Sequence, residues 1–412
     1  MQCSADSHSL GRQCADRPWL PGIACDPRGQ PVGAGVIRVP GPTTSADAVA
    51  ATSQSPTTTP IHPAFIGRDH TTAPRLDARY GPRAMCSIFA ILEIADDPAT
   101  HRVRAIERSK RMRHRGPDWS GVWIGEDALM VHERLAIVDP ASGGQPLHGP
   151  NDTVLAVNGE IYDHRRIRGE LSDYPFRTGS DCEVILALYD AKGADFLNDL
   201  NGIFAFVLYD ASKGRYVIAR DPMGVMPLYT GRDAEGRLYV ASEMKALLED
   251  CVTIEDFPPG HVLDSEVGEL VQYYRPRWRD YDAVKDHPAD PKEVRAALEA
   301  AVTRQLMTDV PYGVLLSGGL DSSVVTALAA KHAGRRVESD EKEDAWYPRV
   351  HSFAIGLEGS PDLAAAKIAA DSIGTVHHGF TYSFEEGLDA IRDERTGRAT
   401  RRVESVELAF LR

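Results

Sequence analysis

The run Ser317-Gly318-Gly319-Leu320-Asp321-Ser322-Ser323 constrains the fold more than any other stretch of the chain. It follows a strand-like segment, Tyr312–Leu316, and precedes a helix-like one, about Ser322–His332. A second strand-like run, Val350–Ile355, comes next, then a helical Leu363–Ser372 and a short strand near His378–Tyr382. Strand, glycine-rich turn, helix and strand in that order predict a parallel sheet with covering helices. Two glycines let the turn curl with its N–H groups inward. Serine hydroxyls and a helix N-terminus add donors and partial positive charge, which suits a phosphate anion. An ordinary serine-capped β-α turn reads the same way. The loop lacks the Gly-Lys-Ser/Thr ending of a Walker loop, which argues against simple γ-phosphate hydrolysis.

Upstream the text changes twice. Residues 1–84 are rich in Pro, Gly, Ser, Thr and Ala and sustain no period, so they read as a disordered leader or as sequence upstream of the real start. From Cys86 to about Tyr274, short β-type runs at Ala128–Val131, Val154–Val157, Phe204–Tyr209, Tyr216–Ala219 and Leu238–Ala241 alternate with turns. Helices are expected at Ile106–Met112 and at Glu183–Ala191, and the mixture predicts layered sheets covered by helices. Residues 275–291 read as a polar linker ending in Asp290-Pro291, a helix-start signature. The helix beyond carries Val294, Leu298, Val302 and Leu306 on one stripe.

A net charge of −14 disfavours a general nucleic-acid binder, and no apolar run approaches the roughly 18 residues of a membrane span. Six scattered cysteines without a C-x-x-C pair point away from a zinc or disulfide framework. Cys182 and Cys251 read as core packing, and His377-His378 as structural, since neighbours on a strand face opposite ways. No metal site is expected.

Met85-Cys86-Ser87-Ile88-Phe89 reads like a chain start placed deep inside the sequence. A cysteine at a true N-terminus is nucleophile and base together, its α-amino group having an ordinary pKa of roughly 7.7–8.0. An internal Cys86 has only an amide there.

Ser317–Ser323 resembles the PP-loop that grips pyrophosphate in ATP pyrophosphatases. Cys86-Ser87-Ile88-Phe89, Arg113-His114-Arg115-Gly116-Pro117-Asp118, His132-Glu133-Arg134-Leu135, Asn158-Gly159-Glu160-Ile161-Tyr162 and Gly179-Ser180-Asp181 resemble a class II glutamine amidotransferase domain. The two in this order are similar to the glutamine-hydrolysing asparagine synthetases of the bacterial B type, over about Met85 to Asp393. The resemblance implies an α/β and α+β chain: an N-terminal-nucleophile αββα sandwich over 86–274, then a partial PP-loop parallel-sheet domain over 292–393.

It also implies roles. Cys86 attacks the carboxamide of glutamine, and Asn158 with the Gly159 N–H forms the oxyanion hole. Arg134 pairs with the substrate carboxylate, Asp181 binds its ammonium, and the backbone of Leu135, Ala136, Ile137, Val138 and Asp139, with Glu160, completes the pocket. Leu316 and Ile355 flank adenine, Ser317, Gly318, Gly319, Leu320, Asp321 and Ser322 hold pyrophosphate, and Mg²⁺ bridges the phosphates. Taken singly, Arg134 serves as well in a surface ion pair, Asp181 as an N-cap, and Asn158-Gly159 as a hairpin turn. The implied activity joins glutamine, aspartate and ATP through β-aspartyl-AMP to asparagine, in a cytoplasmic enzyme and a homodimer, with ammonia passing between two sites. Met85 is the expected start.

After Asp393 the match stops, and the family's later S-G-E-G-S-D-E motif is absent from the divergent stretch 394–412. The expectation for these 412 residues is accordingly little synthetase activity, a truncation or frameshift, and, as the alternative, a bare glutaminase or inactive fragment. A non-enzymatic module is a third reading. Relatives aminating sugar phosphates lack the adenylating half, and β-lactam-forming ones have no need of Cys86.

Overall fold

A computed structural model describes residues 37–38, 85–334 and 349–388. The expectations for most of 1–84 and for 394–412 lie outside the described residues; Ile37–Arg38 pair antiparallel with Thr253–Ile254.

The inner strands explain the architecture. Ser87–Leu92 is buried at every position, so it shows no polar alternation. Its residues instead divide between two cores, as a strand covered on both faces must. Ile88, Ala90 and Leu92 join one apolar cluster, while Phe89 and Ile91 join another. Gly202–Asp210 divides likewise: Ala205, Val207 and Tyr209 meet the first cluster, and Phe204, Phe206 and Leu208 a third. The shared cluster therefore lies between two sheets, and the other two lie on their outer faces.

The first sheet orders Thr253–Asp256, Tyr229–Arg232, Leu238–Ala241, Ser87–Leu92, Leu129–Arg134 and Trp119–Ile124. The second orders Leu270–Gln272, His261–Asp264, Arg215–Arg220, Gly202–Asp210, Thr153–Ile161 and Leu147–His148. These pairings are antiparallel. Helix Arg102–Lys110 covers the first sheet with Ala105, and helix Val184–Lys192 covers the second with Val184, Ile185 and Leu188. Helix, sheet, sheet, helix is the αββα sandwich expected.

The second unit begins at helix Pro291–Arg304, where the Asp290 carboxylate accepts from the Lys292 N–H at 2.8 Å. Its apolar stripe is only partly covered: Val302 is buried, Val294 and Leu298 are exposed, and Leu306 falls past the helix end. Strands Gly313–Leu315, His351–Leu357 and Val376–Tyr382 form the parallel sheet expected, with helices Leu320–His332 and Pro361–Ile373 between them. His377 bonds Ser352 while His378 bonds and stacks on His351, so the two histidines do face opposite ways.

A turn of the second unit meets the first. The Asp309 N–H donates to the Ile137 carbonyl at 3.0 Å, and the Asp309 carboxylate accepts from the Asp139 N–H at 2.7 Å.

Candidate functional site

Cys86 heads the inner strand Ser87–Leu92 and opens into a pocket. Arg134, Leu135, Ile137, Val138, Gly159, Glu160 and Asp181 line it with Cys86. Three residues expected there, Ala136, Asp139 and Asn158, are not among those that line it. Ala136 gives its amide to the Asp118 carboxylate at 3.0 Å, and Asn158 is fully buried in strand Thr153–Ile161. Met85, Gly143, Gln145, Ser180 and Cys182 complete the lining. Cys182 packs into the core as read, yet it also reaches this pocket, its thiol donating to the Gly159 carbonyl at 3.6 Å.

The thiol of Cys86 accepts from the Leu135 N–H at 3.2 Å and lies 3.6 Å from the Leu135 carbonyl. Burial pushes it up to about 11, against the Leu135 hydrogen bond and the nearby Arg134 charge. Such a thiol is protonated at neutral pH and needs a base. No histidine or lysine lines the pocket. His132, one strand over, is held neutral by burial, down to about 4, and its Nε2 meets the Val157 carbonyl of the other sheet at 2.8 Å. Arg115 fixes the Cys86 backbone, donating from Nε to its carbonyl at 3.2 Å and from Nη1 to Glu243 at 3.1 Å.

Arg134 is not a surface ion pair. It is 6% exposed, and its guanidinium donates to the Val138, Asp139 and Pro140 carbonyls at 3.1, 2.6 and 3.3 Å. No described carboxylate pairs with it within 4.0 Å, so a buried cation is satisfied by neutral acceptors and keeps its charge for an incoming anion. Asp181 is not the N-cap; Ser180 is, accepting from the Cys182 N–H at 3.3 Å. The Asp181 carboxylate accepts from the Ile161 N–H at 2.7 Å, and burial raises its pKa. Asn158-Gly159 is no turn either. Gly159 lies within a strand at φ +149°, where a Cβ would stand 2.0 Å from the Ile203 carbonyl oxygen. Only glycine brings the chain that close.

Sequence reasoning missed Ser242. Its hydroxyl accepts from the Ile88 N–H at 2.9 Å and sits 3.4 Å from the Asn158 Nδ2, joining the Cys86 strand to the amide expected in the oxyanion hole. A serine 154 positions from Ile88 carries no local signal.

In the second unit Gly318, at φ +80°, lies where a Cβ would meet the Ala365–Ala366 peptide at 2.5 Å. The Ser317 and Ser322 hydroxyls bond at 2.9 Å, and the Ser322 hydroxyl donates to the Gly319 carbonyl at 3.2 Å. Helix Leu320–His332 starts there with no side-chain cap, leaving its first N–H groups facing an open loop. The Leu316 N–H donates to the Phe353 carbonyl at 2.8 Å, which sets the loop at the strand ends. Among the described residues no cluster of three His, Cys, Asp or Glu side chains is placed to hold a metal ion.

A thiol, a buried guanidinium and a buried carboxylate around one pocket of an αββα sandwich define an amidotransferase-type site, and residues 85–271 match the family described as glutamine amidotransferase domain. Residues 293–394 match the family described as asparagine synthase. Over 311 residues the chain is 57% identical to asparagine synthetase B [glutamine-hydrolyzing] of Escherichia coli, covering 75% of this chain and 56% of that protein. Arabidopsis thaliana asparagine synthetase [glutamine-hydrolyzing] 1 is 50% identical over 75% of this chain and 52% of its own. Through both of its units the chain is similar to the glutamine-hydrolysing asparagine synthetases, and it spans about half the length of the curated relatives it matches. A solved glutamine phosphoribosylpyrophosphate amidotransferase from B. subtilis aligns with 72% of this chain and 65% of that one, at 17% identity and a TM-score of 0.40.

Proposed function

We propose that the chain serves glutamine-dependent asparagine formation, with Cys86 releasing ammonia from glutamine. The observation that carries this is the buried Arg134, free of any described carboxylate partner, lining one pocket with the Cys86 thiol and the buried Asp181. Opposite charges lining one pocket suit the carboxylate and ammonium of an amino acid whose side chain reaches the sulfur.

The Cys86 sulfur attacks the carboxamide carbon of glutamine, and the carbonyl oxygen takes up negative charge beside Asn158 and the Gly159 N–H. Such donors are typically worth about 3 kcal/mol each. The C–N bond then breaks, ammonia leaves with the proton given up by the thiol, and water hydrolyses the thioester to glutamate. The proton needs a carrier, and no histidine or lysine lines the pocket. The α-amino group of Cys86 is that carrier once it is free. In the 412-residue chain Met85 occupies this nitrogen and lines the pocket as well. Its removal both creates the base and widens the pocket.

The loop 317–322 with Leu316 and Ile355 would grip ATP, the phosphates carrying Mg²⁺, while aspartate takes up AMP at its β-carboxyl. Ammonia attacks that carbonyl, giving asparagine and AMP, with pyrophosphate from the first step. Domain limits of 86–274 and 292–393, a cytoplasmic setting and a homodimer complete the reading. No helix among the described residues is long and apolar enough to cross a membrane.

The test uses a form whose first residue is Cys86 and measures glutamate, AMP and amide-¹⁵N asparagine separately, from labelled glutamine with aspartate and Mg-ATP. Label in asparagine supports the reading. Glutamate without AMP reduces it to a glutaminase, and neither product overturns it.

A further inference from the structure

Asp139 sits where the glutamine pocket's parts meet, and it holds a conformation it does not favour. Its φ of +49° is left-handed, uncommon for a residue with a side chain and a store of strain unless its surroundings impose it. Its hydrogen bonds do so. Its carbonyl accepts from Arg134 at 2.6 Å. Its carboxylate accepts from the Gly179 N–H at 2.8 Å, on the segment leading to Asp181, and from the Ser142 N–H at 3.0 Å. Its own N–H donates to the Asp309 carboxylate at 2.7 Å.

Asp309 belongs to the other unit, in the turn between helix Pro291–Arg304 and strand Gly313–Leu315. It grips the pocket loop twice, since its N–H also donates to the Ile137 carbonyl at 3.0 Å. The turn is itself braced: the Thr308 hydroxyl accepts from the Val310 N–H at 3.1 Å and donates to the Val310 carbonyl at 2.9 Å. Ile137 and Val138 line the pocket between the two gripped positions.

We propose that Asp309 is a positioning residue for the amino-acid pocket of the first unit, clamping the backbone of residues 137–139 so that Asp139 aims both Arg134 and the Gly179–Asp181 segment at the substrate. It touches no substrate atom and acts through Asp139. The proposal rests on the glutamine reading of the pocket. It also gives the second unit a direct hold on the first unit's substrate affinity, through a residue four positions ahead of the strand that leads into the phosphate-gripping loop.

The experiment uses the 412-residue chain and the variants D309A and D309N. L-Glutamine affinity is measured by calorimetry, amide exchange is followed at residues 136–142, and Cys86 is alkylated with iodoacetamide. Loss of one charge-assisted hydrogen bond at an exposed acceptor should weaken glutamine about fivefold in D309A, whereas D309N keeps an acceptor oxygen and should stay within about twofold. Without ligand, the Asp139 amide should exchange faster in D309A and not in D309N. Iodoacetamide, which uses neither Arg134 nor Asp181, should react equally with all three.

Parent affinity in D309A, or an Asp139 amide still protected there, overturns the proposal alone. An equal fall in alkylation and affinity makes Asp309 merely structural and also overturns it. A parent that binds no glutamine overturns the reading beneath it instead. Should D309A fail to fold, the parent decides: glutamine should slow exchange at the Asp309 amide as well as at Asp139, and no slowing at Asp309 overturns the clamp.

Discussion

Replacing Arg134 with Gln removes the charge while leaving a polar side chain of lesser reach. Two losses follow, and they separate. The loop loses donors to the Val138, Asp139 and Pro140 carbonyls, a cost to folding of about 0.5–1.5 kcal/mol per bond. The substrate carboxylate loses its cationic partner inside a pocket lined by no lysine or second arginine. Truncating one member of a buried charged pair costs about 2–5 kcal/mol. A middle value of about 3–4 kcal/mol is a fall of roughly 10²–10³ in kcat/KM for glutamine. The loss should lie mainly in KM, because the carboxylate is remote from the reacting carbonyl and is held alike before and during attack. Lysine in place of Arg134 keeps the charge but not the fork, and should recover part of the loss. The assay is glutamate release by a form beginning at Cys86, with a thermal melt to register the folding cost. A fall below about fivefold with the melt intact would mean that Arg134 does not meet the substrate carboxylate, and the assignment would fail.

Three further outcomes follow from single contacts. Ser242→Ala takes the 2.9 Å acceptor from the buried Ile88 N–H, so stability should drop by about 1–3 kcal/mol in a denaturant melt; kcat for glutamine hydrolysis should fall more than KM rises, and the reverse split would deny Ser242 its link to Asn158. Gly318→Ala sets a Cβ 2.5 Å from the Ala365–Ala366 peptide at a positive φ and should weaken ATP binding at least about tenfold by titration, while Gly319→Ala, whose nearest contact is 3.5 Å away, should shift the melting midpoint little; equal effects of the two would refute the loop geometry. With Met85 retained, burial holds the Cys86 thiol near 11, so its alkylation should keep rising with pH, about tenfold per unit, to at least pH 10; a plateau below pH 8 would show a base at the sulfur.

Legibility in the sequence tracked burial. Leu238–Ala241 is a strand with the bounds its composition suggests, and Phe204–Tyr209 lies within strand Gly202–Asp210, because central strands bury both faces and read as apolar runs. The edge strands Trp119–Ile124 and Leu270–Gln272 escaped, being exposed enough on at least one face to carry no apolar pattern. Thr253–Asp256 ends in two exposed acids and offers no apolar run to read. At the site, residues sharing a motif were findable: Arg134 follows His132-Glu133, and Asp181 follows Gly179-Ser180. Ser242 and Asp309 were not, since the first reaches Ile88 across 154 positions and the second reaches Asp139 across 170. Neither residue type marks such a role by itself. The apolar stripe on helix Pro291–Arg304 is a related case: spacing shows that a face exists, and only the fold shows that Val302 is covered while Val294 and Leu298 are not.

The central claim is that Cys86 works through its own α-amino group. Glutamate release should be compared between a form whose first residue is Cys86, verified by intact mass, and one that retains Met85 with the rest unchanged. The account predicts glutamine turnover by the first and essentially none by the second, with Cys86 labelled by a glutamine-like electrophile far faster in the first. Equal turnover by both would place the base elsewhere in the pocket and contradict the account.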